Sequence, residues 1–154
     1  MIDIVRFGEW LAELAAAANT QNATEIGFVS LAVREEQLVK TLGKAESEIC
    51  LCATYPDARM EGGPDSATDL QSCILFVLRR NNPDNSDSDE GMEVMRELQR
   101  TMLAVRKLAL NTVDCSGMAP EQAPAEVEWE YQIFGGFDGL SMSFKFRHYD
   151  GTVY

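Results

Sequence analysis

The stretch with the most potential for metal chemistry is the acidic segment from Asn81 to Glu90. A calcium-binding loop needs Asp or Asn at its first, third and fifth positions, Gly at the sixth and Glu at the twelfth. Counted from Asn85, the first three requirements are met, but the sixth position is Glu90 and the twelfth is Arg96. We therefore predict that the segment caps a following helix, with Asp87 and Glu90 at capping-box spacing, and does not bind calcium.

The four cysteines are the second candidate for metal binding, and Cys115 lies apart from the other three. Cys50 and Cys52 are two residues apart on a predicted strand, so their side chains share a face. Cys73, on the neighbouring predicted strand, could approach them. Zinc sites use about four ligands, and the usual two-residue spacer between cysteine ligands is missing here. The pattern favours reduced, buried cysteines, and we predict neither a metal site nor a cofactor.

Nucleophilic catalysis would depend on His148, the only histidine in the chain. A Ser–His or Cys–His pair needs both groups within hydrogen-bond reach, and Cys115 and Ser116 are the candidate nucleophiles. The spacing gives no reason for them to meet His148, and the chain has no Gly-x-Ser-x-Gly elbow. We predict a loop cysteine, a surface histidine, no catalytic residues and a protein that is not an enzyme.

Two other patterns resemble sites without having their full chemistry. Glu126, Glu128 and Glu130 offer paired carboxylates, but on an alternating strand they share one face, as on a solvated strand. The run from Gly135 to Gly139 is rich in glycine, but it lacks the Lys-Ser/Thr ending of a phosphate-binding loop and joins two predicted strands. Neither pattern predicts catalysis or phosphate binding.

The composition restricts the classes of partner. The chain has 154 residues and a formal net charge of -12, and its pI is about 4.4. Such a surface repels nucleic acids and anionic lipids, so we expect neither a nucleic acid nor a membrane as partner. We also expect no small-molecule substrate. Glu93 and Glu97 are interspersed with the basic residues of one predicted helix, which is typical of a salt-bridged, solvated face. Those basic residues are Arg96, Arg100, Arg106 and Lys107.

The first residues lack the basic and apolar regions of a signal peptide. No stretch reaches the length of a transmembrane helix. We therefore expect a cytoplasmic protein.

The elements that position these residues are organised around the apolar stretch from Leu70 to Leu78. From Cys73 onward this stretch does not alternate, which is typical of a strand buried on both faces. A buried helix is the rival interpretation. Turn-forming residues lie on both sides of the stretch, at Gly62 to Pro64 and at Asn81 to Pro83, and leave room for only about three helical turns between them. We predict a central strand.

The first half of the chain supplies neighbours for this strand. We predict a helix over Asp3 to Ala18 with a polar stop from Asn19 to Asn22, and a short helix over Arg34 to Ala45. The second helix is expected to bury Leu38, Val39 and Leu42. Ile26 to Val33 is predicted as a weak strand, with a helix as the alternative. Glu48 to Tyr55 is predicted to pair antiparallel with the central strand across a polar loop that includes Arg59 to Thr68.

The second half begins with a long helix, predicted over about residues 88–110. Its apolar residues recur at three- and four-residue steps and mark a buried face. They are Val94 or Met95, Leu98, Met102, Val105, Leu108 and Ala109. The connection from Asn111 to Ala125 is predicted to be mainly irregular, with a short extended piece near Thr112 to Cys115.

Two alternating runs then predict a closing β-hairpin around the 135–139 turn. In the run from Glu126 to Phe134, the apolar residues are expected on the buried face and the glutamates on the outer face. In the run from Leu140 to Phe146 the even-numbered positions are expected to be buried. Lys145 and Arg147 are predicted to pair with the glutamates across the hairpin. Together these elements predict one α+β domain, residues 1–154, with a mainly antiparallel sheet, a long helix packed across it and an N-terminal helix.

The order of elements over about Glu48 to His148 resembles the tail-terminator and tail-completion proteins of tailed phages and related prophage neck proteins. The features that carry this resemblance are the strand pair, the acidic loop, the long helix, the proline-bearing linker and the closing hairpin. That hairpin contains the aromatic and glycine runs from Phe134 to Leu140 and from Phe144 to Phe146.

The resemblance implies a non-enzymatic subunit that forms rings, often hexameric, at the head-proximal end of a tail. It also implies contacts with other tail or neck proteins and a virion-associated location. The edge strands, the loop Arg59 to Thr68 and the loop Asn81 to Glu90 are the expected contact elements. Two alternatives remain: a small acidic adaptor or inhibitor that binds a basic protein, and a small enzyme or metal-dependent module.

Overall fold

The fold is α+β, as predicted, in a computed structural model that describes residues 1–81, 89–111, 118–121 and 125–148. Three helices and seven strands follow one another along these ranges. They are α1 (Ile4–Asn22), β1 (Ile26–Ala32), α2 (Glu35–Leu42), β2 (Ile49–Thr54), β3 (Asp57–Glu61), β4 (Thr68–Arg80), α3 (Asp89–Leu110), β5 (Met118–Pro120), β6 (Val127–Ile133) and β7 (Phe137–His148). Asp87 of the expected capping box and the piece Thr112 to Cys115 lie outside the described residues.

The strands form one sheet in the order β1-β2-β4-β7-β5, with β3 also paired to β4 and β6 also paired to β7. Only β1 and β2 run parallel among the described pairs, and α2 forms the crossover between them. The other pairs are antiparallel. In β4, Leu75 lies between Ala53 of β2 and Met142 of β7. The predicted central strand and its antiparallel pairing with β2 are confirmed.

One face of the sheet, here called the two-helix face, is covered by α1 and α3. It receives alternate residues of β4 and β7, among them Leu75 and Phe144. Trp10 of α1 stacks on Phe144 at 5.5 Å between ring centroids, and Phe7 stacks on Phe146 at 6.1 Å. Stacked aromatic side chains bury large apolar areas, so this layer forms the main core.

The long helix α3 begins and ends close to the predicted limits. Its buried residues include Leu98, Met102, Val105 and Ala109, which lie at the predicted three- and four-residue steps. The buried face packs towards β4 and β7. The prediction of a long helix across the sheet is confirmed.

The N-terminal helix is longer than predicted. Asp3 caps it, since its carboxylate accepts hydrogen bonds from the backbone N–H groups of Val5 and Arg6. The helix does not stop at Ala18 but continues to Asn22. The cause is tertiary: the amide of Asn19 both donates to the carbonyl of Ile26 and accepts from its N–H, at 2.8 Å each.

The opposite face, here called the α2 face, is only partly covered. Leu38 and Leu42 of α2 are fully buried, whereas Val39 is 47% exposed, so its predicted burial is wrong. The helix is short, and its buried stripe is narrower than the sequence indicated. Arg80 fixes the end of α2, because its guanidinium donates to the carbonyls of Leu42 and Ala45 at 3.4 Å each.

Two predictions for β1 and β3 have opposite outcomes. The strand alternative for Ile26 to Val33 is confirmed, with β1 ending at Ala32. The prediction of a polar loop from Arg59 to Thr68 is wrong in part, because its first residues belong to β3, which pairs with the start of β4. Charged residues such as Arg59 and Glu61 lie on β3 because one edge of that strand is open to solvent among the described elements.

Candidate functional site

The buried cysteines do not form a cluster. Cys50 and Cys52 pack on the α2 face, whereas Cys73 packs on the two-helix face, so Cys73 does not join them in a metal-binding cluster. Burial raises the pKa of Cys50 to about 12, and it also raises the pKa values of Cys52 and Cys73. These thiols are protonated, weak nucleophiles. Within the described ranges, no group of three His, Cys, Asp or Glu residues is arranged to hold a metal ion.

His148 lies at the end of β7, opposite Asp69 of β4 and Met118 of β5. It is half-buried and not on the open surface, which corrects the expectation of a surface histidine. Its Nδ1 atom is buried and has no hydrogen-bond partner among the described residues. The candidate nucleophiles Cys115 and Ser116 lie outside the described residues, so a pairing with His148 stays untested.

The closing hairpin is confirmed, but its first strand has an unexpected surface. Val127 lies opposite Met142 and Trp129 opposite Leu140, so their alternation is as predicted. Trp129 is nevertheless 53% exposed and Tyr131 is 64% exposed. The reason is that β6 lies beyond β7, while α3 packs mainly over β4 and β7. Sequence periodicity identified the face of Val127 and Trp129 but not where the helix layer ends. The prediction is wrong for Ile133, which packs on the α2 face, because the register shifts between Glu130 and Ile133.

The glutamates of β6 also have partners other than those predicted. The register places Lys145 and Arg147 beyond the end of β6, so they do not pair with its glutamates. Glu126 and Glu128 are exposed. Glu130 is partly buried and accepts a hydrogen bond of 2.7 Å from the hydroxyl of Ser141. The outer edge of β6 is therefore acidic as well as aromatic.

A buried carboxylate holds this hairpin in position. Asp138 accepts hydrogen bonds from the backbone N–H of Gln132 at 2.6 Å, from its side-chain amide at 3.0 Å and from the amide of Asn81 at 2.6 Å. Gln132 and Phe134 both have φ near 50°, a left-handed conformation that is costly for residues with a side chain. Three hydrogen bonds to one carboxylate stabilise that conformation and fix the end of β6.

The part of the α2 face that α2 does not cover carries an ion-paired ladder across β3, β4 and β7. Arg147 donates to Glu61 at 2.9 Å and to Thr68 at 2.8 Å, and it also pairs with Glu121. Hydrogen bonds from Arg59 and then from Arg147 hold the pKa of Glu61 below its usual value. The reciprocal bonds raise the pKa of Arg147. The ladder fixes a polar surface that sequence spacing could not reveal, because its members come from distant segments.

A cleft of about 330 Å³ lies where this polar surface meets the start of α2. Its lining combines two cations, Arg34 and Lys145, with the ring of Tyr55 and several hydroxyl groups. Arg34 is paired with Asp57 at 3.6 Å. The lining also includes the carboxylates of Glu35 and Asp57. This mixture of polar and apolar groups is typical of a surface depression between strands.

Two edges of the sheet are unlike in composition. At one end, β1 pairs only with β2 in the described ranges, and Ile26–Ala32 contains no charged residue. On the far side of β7, β6 pairs with no other strand of the described residues, and it carries exposed glutamate and aromatic side chains. Open edges present unpaired backbone N–H and C=O groups and are ready to pair with another chain. These edges are the strongest candidate functional site.

No protein-family model matches the chain, and no curated protein matches it in a sequence search. No helix in the described part of the chain is long and apolar enough to cross a membrane.

Proposed function

We propose that this chain is a non-enzymatic tail or neck assembly protein of a phage or prophage that acts through protein–protein contacts as the subunit of a ring. The observation that carries the proposal is the pair of unlike open edges, β1 and β6. A subunit with two different edges has room for two different neighbours. A ring subunit of a tail needs this, because it contacts other copies of itself and also other tail proteins.

The uncharged edge β1 is the one expected to contact another copy. Val29 on this strand is 39% exposed, and Val33 just after it is also exposed. An apolar edge without charged residues lacks the usual protection against pairing. In a ring, β1 of one copy contacts a different surface of the next copy. Contacts between two unlike surfaces repeat around a rotation axis, and the series of subunits can close into a ring.

A second candidate function is a small acidic adaptor or inhibitor that binds a basic protein. The exposed carboxylates of Glu126, just before β6, and of Glu128, on β6, favour it. Contacts of this kind are steered by charge and weaken steeply with salt. The two candidates differ in whether the protein assembles alone.

Light scattering across protein concentration, followed by negative-stain imaging, tests the proposal. A closed ring of several subunits is the expected result. Val29→Lys, which places a charge on the β1 edge, is expected to shift the population towards monomers. Val39→Lys on α2 is a matched control, because Val39 is similarly exposed but lies on a helix. A strict monomer at every concentration, with salt-sensitive binding of basic proteins, would instead support the adaptor.

A further inference from the structure

The backbone of β6 offers hydrogen-bonding groups in a defined pattern. The N–H of Ser143 donates to the carbonyl of Glu126 at 3.2 Å. Because hydrogen-bonded and non-hydrogen-bonded pairs alternate in an antiparallel ladder, Glu128 also bonds to β7. The N–H and C=O groups of Val127 and Trp129 then point away from β7 towards the open edge. These two residues present four main-chain groups to an added strand.

The side chains beside these groups differ between the two faces. Glu126 and Glu128 alternate with Val127 and Trp129, so the carboxylates lie on one side of the edge and the indole on the other. Glu126 and Glu128 have no hydrogen-bonding or charged partner for their side chains among the described residues. A strand added here would place alternate side chains against carboxylates and against an aromatic ring.

Charge restricts which chain can occupy this edge. A second copy of β6 would bring glutamates close to glutamates, which is destabilising. A second copy of β1 has no basic residue between Ile26 and Ala32 to neutralise them. Both arrangements leave the carboxylates without a partner. An extended segment with basic residues at every second position satisfies them.

We propose that β6 binds an extended segment of a different protein, with lysine or arginine at alternate positions, by adding it to the sheet as a new strand. The inference rests on the proposed function in one respect, namely that the chain acts through protein contacts. Main-chain hydrogen bonds to Val127 and Trp129 supply pairing, and the basic side chains reach Glu126 and Glu128. The intervening side chains pack on the indole of Trp129.

The length of the segment follows from the register. The ladder between β6 and β7 is irregular between Glu130 and Ile133. A bulge bends a strand and ends regular pairing on its other side. The regular edge, which no described strand covers, therefore runs from Glu126 to Glu130 and fits a partner strand of about five residues.

Tryptophan fluorescence gives a direct test with the intact protein. The probe is an acetylated and amidated octapeptide that alternates lysine with valine. Trp10 is buried, so a change in emission on adding the peptide reports on the exposed Trp129. We expect a saturable blue shift, and slower amide hydrogen exchange at Val127 and Trp129. An otherwise identical peptide with proline in place of valine, which cannot donate from those positions, is expected to bind at least tenfold more weakly.

Matched variants distinguish binding of the peptide at β6 from a general attraction of a basic peptide to an acidic protein. Removing both exposed carboxylates, as Glu126→Gln with Glu128→Gln, is expected to raise the Kd for the peptide about fivefold. Glu13→Gln on α1 removes one exposed carboxylate that is not part of β6, and it is expected to change the Kd less than twofold. Equal effects of both changes, or equal binding of the proline peptide, would overturn the inference.

Peptide binding at β6 and ring formation are measured separately, so one can fail without the other. Rings that form normally while the peptide leaves Trp129 unchanged would reject this inference alone. A monomer that binds the peptide as described would support this inference and reject the ring subunit.

Discussion

The two faces of the sheet differ in what covers them. On the two-helix face, Phe7, Trp10, Phe144 and Phe146 form one aromatic layer beneath two helices. On the α2 face, one short helix covers one part and an ion-paired ladder around Arg147 occupies another. The first face holds the fold together. On the second face and at the open edges, fewer side chains are needed for the stability of the fold, and more of them are exposed to contact other molecules.

The largest expected effect lies between the two faces, at the backbone contact of β4 with β7. A Cβ atom on Gly139 would lie 2.0 Å from the carbonyl oxygen of Val77. Because backbone must move to relieve this overlap, Gly139→Ala is expected to lower the free energy of unfolding by about 4 kcal/mol or more. Urea denaturation measures it. Gly63→Ala, where the nearest atom is 4.0 Å away, is the control and should change stability by less than about 0.5 kcal/mol.

A pair of neighbours on β7 compares the faces directly. Phe144 is buried on the two-helix face, so Phe144→Ala is expected to cost about 3–5 kcal/mol through lost burial and a cavity. Ser143 is exposed on the other face, and Ser143→Ala should change stability by less than about 0.5 kcal/mol. Thermal and urea unfolding of both variants test this. Similar losses from the two changes would contradict the assignment of the faces.

The hairpin carboxylate is expected to have an intermediate effect. Asp138→Ala removes the acceptor of three hydrogen bonds and leaves the donors of Gln132 and Asn81 without it. We expect a loss of about 1–3 kcal/mol and increased hydrogen exchange at β6. Asp57→Ala, at an exposed carboxylate, is the control. Unchanged exchange at β6 would mean that Asp138 does not position the edge.

The smallest expected effect is a dependence on pH at the ladder. The pKa of Glu61 is lowered in the folded protein, so its ionised form contributes stability above the ordinary pKa, and this contribution is lost as the pH falls through the folded value. Wild type should therefore lose more stability than Glu61→Gln between about pH 5 and about pH 3. Urea denaturation at each pH gives the comparison. Parallel pH profiles would show that the ladder does not contribute.

Much of the architecture was predictable because it depends on local patterns. The nonalternating run around Leu75 identified the central strand, the three- and four-residue steps identified α3, and alternation identified the hairpin. The failures have tertiary causes. Asn19 extends α1 by bonding to Ile26, and Cys73 faces the other side from Cys50.

The candidate site was less predictable than the fold. The acidic side of β6 could be read from its alternating glutamates, but the exposure of Trp129 depends on where α3 ends over the sheet. Apolar periodicity assigned that side chain to the core. The ladder around Arg147 joins residues up to 86 positions apart, and no spacing rule connects them.

The most direct test of the central idea, that the sheet edges make the contacts, is hydrogen exchange compared between concentrated and dilute protein. We predict that concentration slows exchange within Ile26–Ala32 of β1 and leaves the exposed face of α3 unchanged. Slowing confined to α3, or no slowing at any concentration, would contradict the account.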